Sequence, residues 1–270
     1  MFYLRDDLQQ ALSPRSSFED IMKLNGKTYR KVKNRHTFSV NLNDKTYFIK
    51  QHTGVGWKEI FKELLRFKIP VLSAKNEWHA IDVCRNIGIN TMEVAGYGKK
   101  GLNPASQKSF LVTDELTGVE TLEDFAPRFF AEASRGDVLK KALIKSVAEI
   151  ARKLHQQNIT HHDMYICHFW IDNSKWQRGQ IYLYLIDLHR AQYHTILKKR
   201  YIIKDLAAIY FSSMDLPLTK NDISLFMETY HQQPLSWIEK HELLFWQEVR
   251  RKAIKLYHKI HKKEPPSQNE

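Results

Sequence analysis

The apolar residues of this chain change their spacing part-way along, and that change limits the folds open to it. In the first part they recur loosely at every second position. Thr28 to Lys33 and Thr37 to Leu42 alternate, and Asn43-Asp44 makes a turn into Lys45-Thr-Tyr-Phe-Ile-Lys50. Such alternation belongs to half-buried strands, and a two-residue Asn-Asp turn belongs to a hairpin. Two more strands are expected around Met92 to Tyr97 and Ser109 to Thr113, separated by a loop with Asn103-Pro104. A helix comes between these sets: Ser73 can cap it, Trp78, Ile81 and Arg85 mark its turns, and Gly88 stops it. Further on the period becomes helical, with Leu139, Leu143, Val147, Ile150 and Leu154 on one stripe. A short strand-like island, Tyr165 to Asp187, bends at Asp172-Asn-Ser174, and helices are expected near 204–214, 219–232 and 239–262. The class is α+β. A small antiparallel β-rich lobe (1–116) leads through a connector near Asp114 to Thr121 into a larger helical lobe (117–264), with a flexible tail at 265–270. Two cores in one chain are expected to leave a cleft between them.

Composition removes several functional classes. With 43% hydrophobic residues the chain can bury a full core, so disorder is excluded as its main state. Two cysteines, Cys84 and Cys167, exclude a disulfide scaffold and point to a reducing compartment. The apolar run Ile181 to Ile186 is far too short to cross a bilayer, and the opening residues meet Asp6 and Asp7 without a signal-peptide core. The expected location is cytosolic or peripheral to a membrane. A formal charge of +12 calls for a polyanionic partner: nucleic acid, an acidic membrane surface or a phosphorylated substrate. No nucleic-acid-binding module is recognisable, so that partner ranks last.

Two acids carry the chemistry. Asp163 closes the run Leu154-His-Gln-Gln-Asn-Ile-Thr-His-His-Asp163, and Asp187 ends an apolar strand in Leu185-Ile-Asp187-Leu-His-Arg190. Phosphotransferases use an acid after a helix to orient the acceptor hydroxyl and a second acid after a short hairpin to hold Mg²⁺. Singly, each could be a turn residue or a cap. Lys50 ends the third strand, where a solvated edge lysine is the ordinary case. Glu77 shares a helix face with Ile81 and Cys84, and a carboxylate on a core-facing stripe is costly unless paired. Lys50 is the partner a kinase would supply, unless Glu77 borders the stripe and reaches water.

Some features depart from protein kinases. No glycine lies in the hairpin Arg35-His-Thr-Phe-Ser-Val40 that must cover a nucleotide, His168 stands where a second metal-binding Asn is usual, and the triplet at Asp187 is Asp-Leu-His. A catalytically inactive kinase fold that only binds a partner is therefore one alternative. Another is a divalent-metal phosphohydrolase with His155, His162, Asp163 and Asp187 as ligands.

The stretches Gly54-Val-Gly-Trp57, Pro70-Val-Leu-Ser-Ala-Lys-Asn-Glu-Trp78, Asn103-Pro-Ala105, Thr113-Asp-Glu-Leu116, His162-Asp163, Tyr165-Ile-Cys-His-Phe169, Ile186-Asp-Leu-His-Arg-Ala-Gln192 and Lys204-Asp-Leu-Ala-Ala-Ile-Tyr-Phe211 occur together. In these the sequence resembles the lipopolysaccharide core heptose(I) kinase family, in which His168 and Asp-Leu-His fit the pattern. His162 stands where most members have Arg. The resemblance implies a two-lobed protein-kinase-like fold with one regulatory-type helix in the first lobe. It implies ATP- and Mg²⁺-dependent phosphorylation of a hydroxyl on the first heptose of the inner core, a lipid-anchored acceptor on the cytoplasmic leaflet of the bacterial inner membrane. A kinase acting on a neighbouring core sugar is the nearest variant. By carry-over Asp163 is catalytic, Lys50 and Glu77 are ATP-binding, Asp187 is a metal ligand and His168 stands near the metal. Asp205 braces the catalytic loop, or else is a first-turn partner of the helix dipole.

Two basic stretches could face that substrate or the anionic membrane. One is Lys58, Lys62 and Arg66 beside Trp57. The other is the last helix, where Arg250, Arg251, Lys255 and Lys259 are among seven cations, with no acid, in 250–263. There an apolar stripe of Trp246, Val249, Ala253, Leu256 and Ile260 would pack inward and leave the charged face solvated.

Overall fold

The computed structural model describes residues 1–32, 34–65, 73–131 and 136–266. The chain divides into two compact units. One comprises Met1–Asn86, Thr91–Thr117 and Leu188–Arg190, and the other Ile87–Asn90, Gly118–Asp187 and Ala191–Glu270.

The first unit is built on an antiparallel sheet of β1 (Phe2–Leu4), β2 (Lys27–Val32), β3 (Arg35–Leu42), β4 (Lys45–His52), β5 (Val94–Lys100) and β6 (Lys108–Asp114), in the order β1-β5-β6-β4-β3-β2. The Asn43-Asp44 turn joins β3 to β4 with both residues left-handed, at φ 49° and 61°. That geometry matches the twist of the strands and suits Asn and Asp. Strand alternation puts Phe38, Tyr47, Ile49, Phe110 and Val112 on one face, where they pack with Leu4, Leu8 and Ile21. Leu8 and Ile21 come from α1 (Asp6–Leu12) and α2 (Phe18–Lys23), two helices that cover this face.

The sequence pattern places one helix in 1–116, whereas the described residues of the unit form four: α1, α2, α3 (Trp57–Leu65) and α4 (Lys75–Asn86). The first two run seven and six residues, too short for a helical period to emerge. The legible sign was the capping box of Ser17 and Asp20 at the start of α2. On α4, Glu77, Trp78, Ile81 and Cys84 are buried. Arg85, expected to mark a turn of that stripe, is exposed instead and pairs with Glu93 at 2.5 Å.

The second unit is mainly helical. A short sheet, β10 (Leu183–Leu185), β9 (Phe169–Asp172) and β7 (Val119–Thr121), lies beside α5 (Leu122–Ala131). The long α6 (Gly136–Gln156) buries Leu143, Val147, Ile150 and Leu154, and β8 (Ile159–Thr160) pairs with β11 (Gln192–Tyr193). Between β9 and β10 the bend at Asp172 is a five-residue helix, α7 (Asn173–Gln177), capped by the Asp172 carboxylate. Then come α8 (Lys199–Ser213), α9 (Lys220–His231), α10 (Leu235–His241) and α11 (Leu243–His261). The single helix expected over 239–262 is broken at Glu242, whose φ of −128° is not helical. Its buried stripe is also rotated: Phe245, Val249, Ala253 and Tyr257 face inward, while Ile260 is half exposed. The inward face is set by packing on α8, and the Tyr257 hydroxyl donates to Asp215 at 2.6 Å.

Candidate active site

Lys50 occupies a central strand, opposite Thr37 on β3 and Leu111 on β6, so it is not an edge residue. Its neighbours Tyr47 and Ile49 enter the core cluster, which turns Lys50 to the opposite face. There its ammonium forms an ion pair with Oε1 of Glu77, 27 positions along the chain. The Glu77 side chain is only 1% exposed, which removes the alternative of a carboxylate reaching water. Its second oxygen, Oε2, is buried without a hydrogen-bond partner. Breaking such a pair leaves an uncompensated buried charge, at a cost of about 3 kcal/mol or more. α4 also packs on the 3-10 turn Leu188–Arg190, with Leu188 fully buried. Two positions beyond Lys50, the His52 ring is pushed down to about 3 by burial, helped by the positive charges of Arg35, His189 and Lys50.

In the second unit several side chains hold the segment around Asp163 by its backbone. Asp205 is fully buried and stands in the middle of α8, not at its start, so a first-turn dipole role does not apply. Its carboxylate accepts the N–H of His161 at 2.7 Å and the N–H of His162 at 2.9 Å. His155 lies 3.5 Å from the same carboxylate and meets the Tyr230 hydroxyl at 2.9 Å. Burial pushes the Asp205 carboxyl up, but its contacts with His155 and the His161 N–H outweigh that and hold it below the usual range. These bonds secure a costly turn, since His162 has a left-handed backbone at φ 70°.

Asp163 is gripped from both sides by imidazoles. His161 Nδ1 accepts the Asp163 N–H at 3.3 Å, and its Nε2–H donates to the Ile186 carbonyl at 2.9 Å. Burial keeps His161 below the usual histidine range, which matches this neutral tautomer. His168 Nδ1–H donates to the Asp163 carbonyl at 2.6 Å, and its Nε2 lies 3.6 Å from Asp187 Oδ2. The Ile186 N–H donates to the His168 carbonyl at 3.0 Å. Asp163 and the strand that delivers Asp187 are thus tied through two histidines. Asp187 itself is left-handed at φ 59° and partly exposed. His161 is the residue that sequence reasoning missed; the doubled histidine before Asp163 was its only signal.

His162 points elsewhere, with Lys204 Nζ 3.0 Å from its Nδ1 and the rings of Tyr201 and His194 at 6.1 and 6.5 Å. The four residues of the phosphohydrolase alternative do not converge. His155 is spent on Tyr230 and Asp205, and no three His, Cys, Asp or Glu side chains among the described residues could share a metal ion. Burial, with the charge of Glu123, raises the Cys167 thiol to about 11, which disfavours the thiolate at neutral pH.

Of the basic patches, Lys58 and Lys62 are exposed on α3, and Arg66 falls outside the described residues. Arg250, Arg251, Lys255 and Lys259 are exposed on α11, but Arg251 is spent on Glu248 at 2.6 Å. The second unit also holds an apolar cavity of about 380 Å³, lined by Leu143, Val147, Ile166, Leu206, Ile209 and Trp246 among others.

A family model described as the lipopolysaccharide kinase (Kdo/WaaP) family matches residues 19–230. A lipopolysaccharide core heptose(I) kinase WaaP of Pseudomonas aeruginosa is 41% identical over 257 residues, covering 94% of this chain and 95% of that protein. Its counterpart in Escherichia coli K12 is 40% identical over 237 residues, covering 87% and 89%. Among solved structures, WaaP in complex with acyl carrier protein superposes with a TM-score of 0.80 at 35% identity, over 95% of this chain and 99% of that one. Likeness of that extent places the fold in the protein-kinase-like class and the protein among phosphotransferases. More narrowly, the chain belongs to the lipopolysaccharide kinase (Kdo/WaaP) family.

Proposed function

We propose that this protein transfers a phosphoryl group from ATP, with Mg²⁺, to a hydroxyl of the first heptose in the inner core of lipopolysaccharide. The curated relatives named above are heptose(I) kinases, which favours heptose over Kdo, the sugar in the family's name. The observation that carries the reading is the Lys50–Glu77 pair, an ion pair buried on a central strand where a kinase needs a phosphate-gripping cation.

The donor groups suit the cofactor. Asp187 offers partly exposed carboxylate oxygens, hard ligands of the kind Mg²⁺ prefers. His168 is a softer ligand with one nitrogen already engaged, so it orients Asp187 more readily than it binds metal. Mg²⁺–ATP supplies, when bound, the transferable phosphoryl group and the neutralising charge. Asp163 accepts a hydrogen bond from the acceptor hydroxyl and takes its proton. Lys50, oriented by Glu77, grips phosphate oxygens, and Asp187 holds the cation. Asp205, His161 and His168 fix the backbone on which Asp163 stands, so its carboxylate reaches the acceptor without reorganisation.

The acceptor places the enzyme on the cytoplasmic face of the inner membrane as a peripheral protein. No described helix is long and apolar enough to cross a membrane. We extend to this chain the partner of its structural neighbour, an acyl carrier protein. The apolar cavity of the second unit is the chemical match for a carrier-borne acyl chain. The test is mass spectrometry of heptose-containing core oligosaccharide after incubation with the purified protein, ATP and Mg²⁺. One added phosphate on the first heptose is expected. A phosphate on Kdo would move the substrate, and no phosphate on any core sugar would end the reading.

A further inference from the structure

α3 is held to its unit on one side and bare on the other. Ile60 is buried, while Trp57, Phe61 and Leu65, each one turn from the next, are 51%, 58% and 81% exposed. The Trp57 and Phe61 rings lie 5.9 Å apart and form one apolar strip. Exposed apolar side chains on a soluble protein are ordinarily scattered singly, and three large ones aligned on a helix mark a contact surface.

The start of this helix is fixed against the β5–β6 loop. The Gly56 N–H donates to the Ala105 carbonyl at 2.9 Å. Gly54 sits at φ 94°, where an added Cβ would come within 2.7 Å of that same oxygen, so only glycine permits the approach. The loop is braced internally, with Gln107 Nε2 donating to the Gly101 carbonyl at 2.9 Å and the Ala105 N–H to Asn103 Oδ1 at 3.0 Å. From this loop Leu102 projects with 99% of its surface exposed. Two braced elements, joined by backbone contact, therefore display four large apolar side chains.

We infer that α3 and the 101–107 loop form a membrane-contact element whose apolar strip enters the headgroup zone of an anionic bilayer. The inference rests on the reading of the substrate as membrane-anchored and names the part of the chain that would touch the membrane. Lys58 and Lys62 flank the strip, and Lys108 is exposed where the loop enters β6, while Lys100 at the other end of the loop pairs with Glu19 at 2.8 Å. Lysines beside Trp, Phe and Leu make up the composition of interfacial helices: rings sit at headgroup depth and long cationic stems reach the phosphates. In the sequence, Glu59 and Glu63 balance the two lysines of α3, so the helix itself supplies depth and little pull. The net charge of +12 on the whole chain supplies attraction and selects an anionic surface over a neutral one.

Co-sedimentation of the full chain with phosphatidylglycerol-containing vesicles tests this against pure phosphatidylcholine vesicles. The parent should bind the anionic vesicles and release them at high salt. The triple variant Trp57→Ser, Phe61→Ser, Leu65→Ser should melt with the parent and bind at least about tenfold more weakly. It should lose activity on lipid-anchored acceptor in vesicles to a similar degree, yet phosphorylate a soluble, delipidated core oligosaccharide at the parental rate. Unchanged vesicle binding by the variant, or none by the parent, would overturn the inference. An equal loss of activity on the soluble acceptor would make the strip part of the sugar site, and loss of carrier-protein binding with vesicle binding intact would make it a protein interface. Vesicle binding is read without catalysis, so a failure of the kinase reading would show separately, as no phosphate on any acceptor.

Discussion

Among the described residues, each unit holds one carboxylate that is no more than 1% exposed, and the two are satisfied by opposite means. In the first unit Glu77 faces a side-chain cation, Lys50. In the second, Asp205 faces the backbone N–H groups of His161 and His162, with His155 beside them. The first arrangement sets the position of one mobile charge. The second sets the path of a chain, a turn that includes a left-handed histidine immediately before Asp163. A side-chain pair can be lost and the strand and helix still stand, whereas a carboxylate serving backbone donors takes the local fold with it.

That difference sets the order of expected effects. Asp205→Asn should be the most damaging to stability, because an amide puts a donor against one of the two N–H groups it must accept. A loss of about 4 kcal/mol is expected in denaturant titration, together with loss of protection from hydrogen exchange at His161 and His162. If Asp205→Asn melts with the parent, the backbone role is wrong.

Lys50→Met should follow, at about 3 kcal/mol, because it strands the Glu77 carboxylate in the interior. Adding Glu77→Leu should recover most of that stability without recovering activity. This separates the pair's part in folding from its part in phosphate binding. A double variant no more stable than Lys50→Met would show that Glu77 is not paired as described.

Acid comes next, and it acts on both units with one sign. His52 and His161 are held below the usual histidine range by burial, so the unfolded chain takes up protons first as the pH falls. Stability is therefore full above about pH 6.5 and declines below it, until the folded-state value of about 3 is reached for His52. Between pH 6.5 and 5 the His52 contribution is roughly 2 kcal/mol, and His52→Gln should flatten that part of the curve. A parent whose melting temperature rises on acidification over that range would contradict it. The smallest effect belongs to the surface: Arg251→Ala should leave the melting temperature unchanged, since its pair with Glu248 is exposed and screened by solvent.

How much could be read from the sequence follows the same division. The Lys50–Glu77 pair was legible because a charged residue on an apolar stripe is an anomaly, and each partner lay on an element whose period was plain. The Asn43-Asp44 turn and the α6 stripe were legible for similar local reasons. Asp205 was legible as a candidate brace only through family resemblance, because a carboxylate that bonds to backbone has no complementary residue type to betray it. His161 went unnoticed because a histidine whose two nitrogens bond to backbone looks like any other. α1 and α2 are too short to show a period, and the inward face of α11 was decided by its packing on α8, which the sequence of α11 does not contain. The exposed strip on α3 was visible only as a basic stretch beside Trp57, since exposure is a property of the fold.

The central claim is that the clamped backbone presents Asp163 to a sugar hydroxyl for phosphoryl transfer. Its most direct test is the transfer rate from labelled ATP to heptose-bearing core acceptor by Asp163→Asn, with melting curves and nucleotide binding measured alongside. The account predicts a folded protein that still binds nucleotide and transfers phosphate about a thousandfold more slowly than the parent. A folded Asp163→Asn protein working near the parental rate would contradict it.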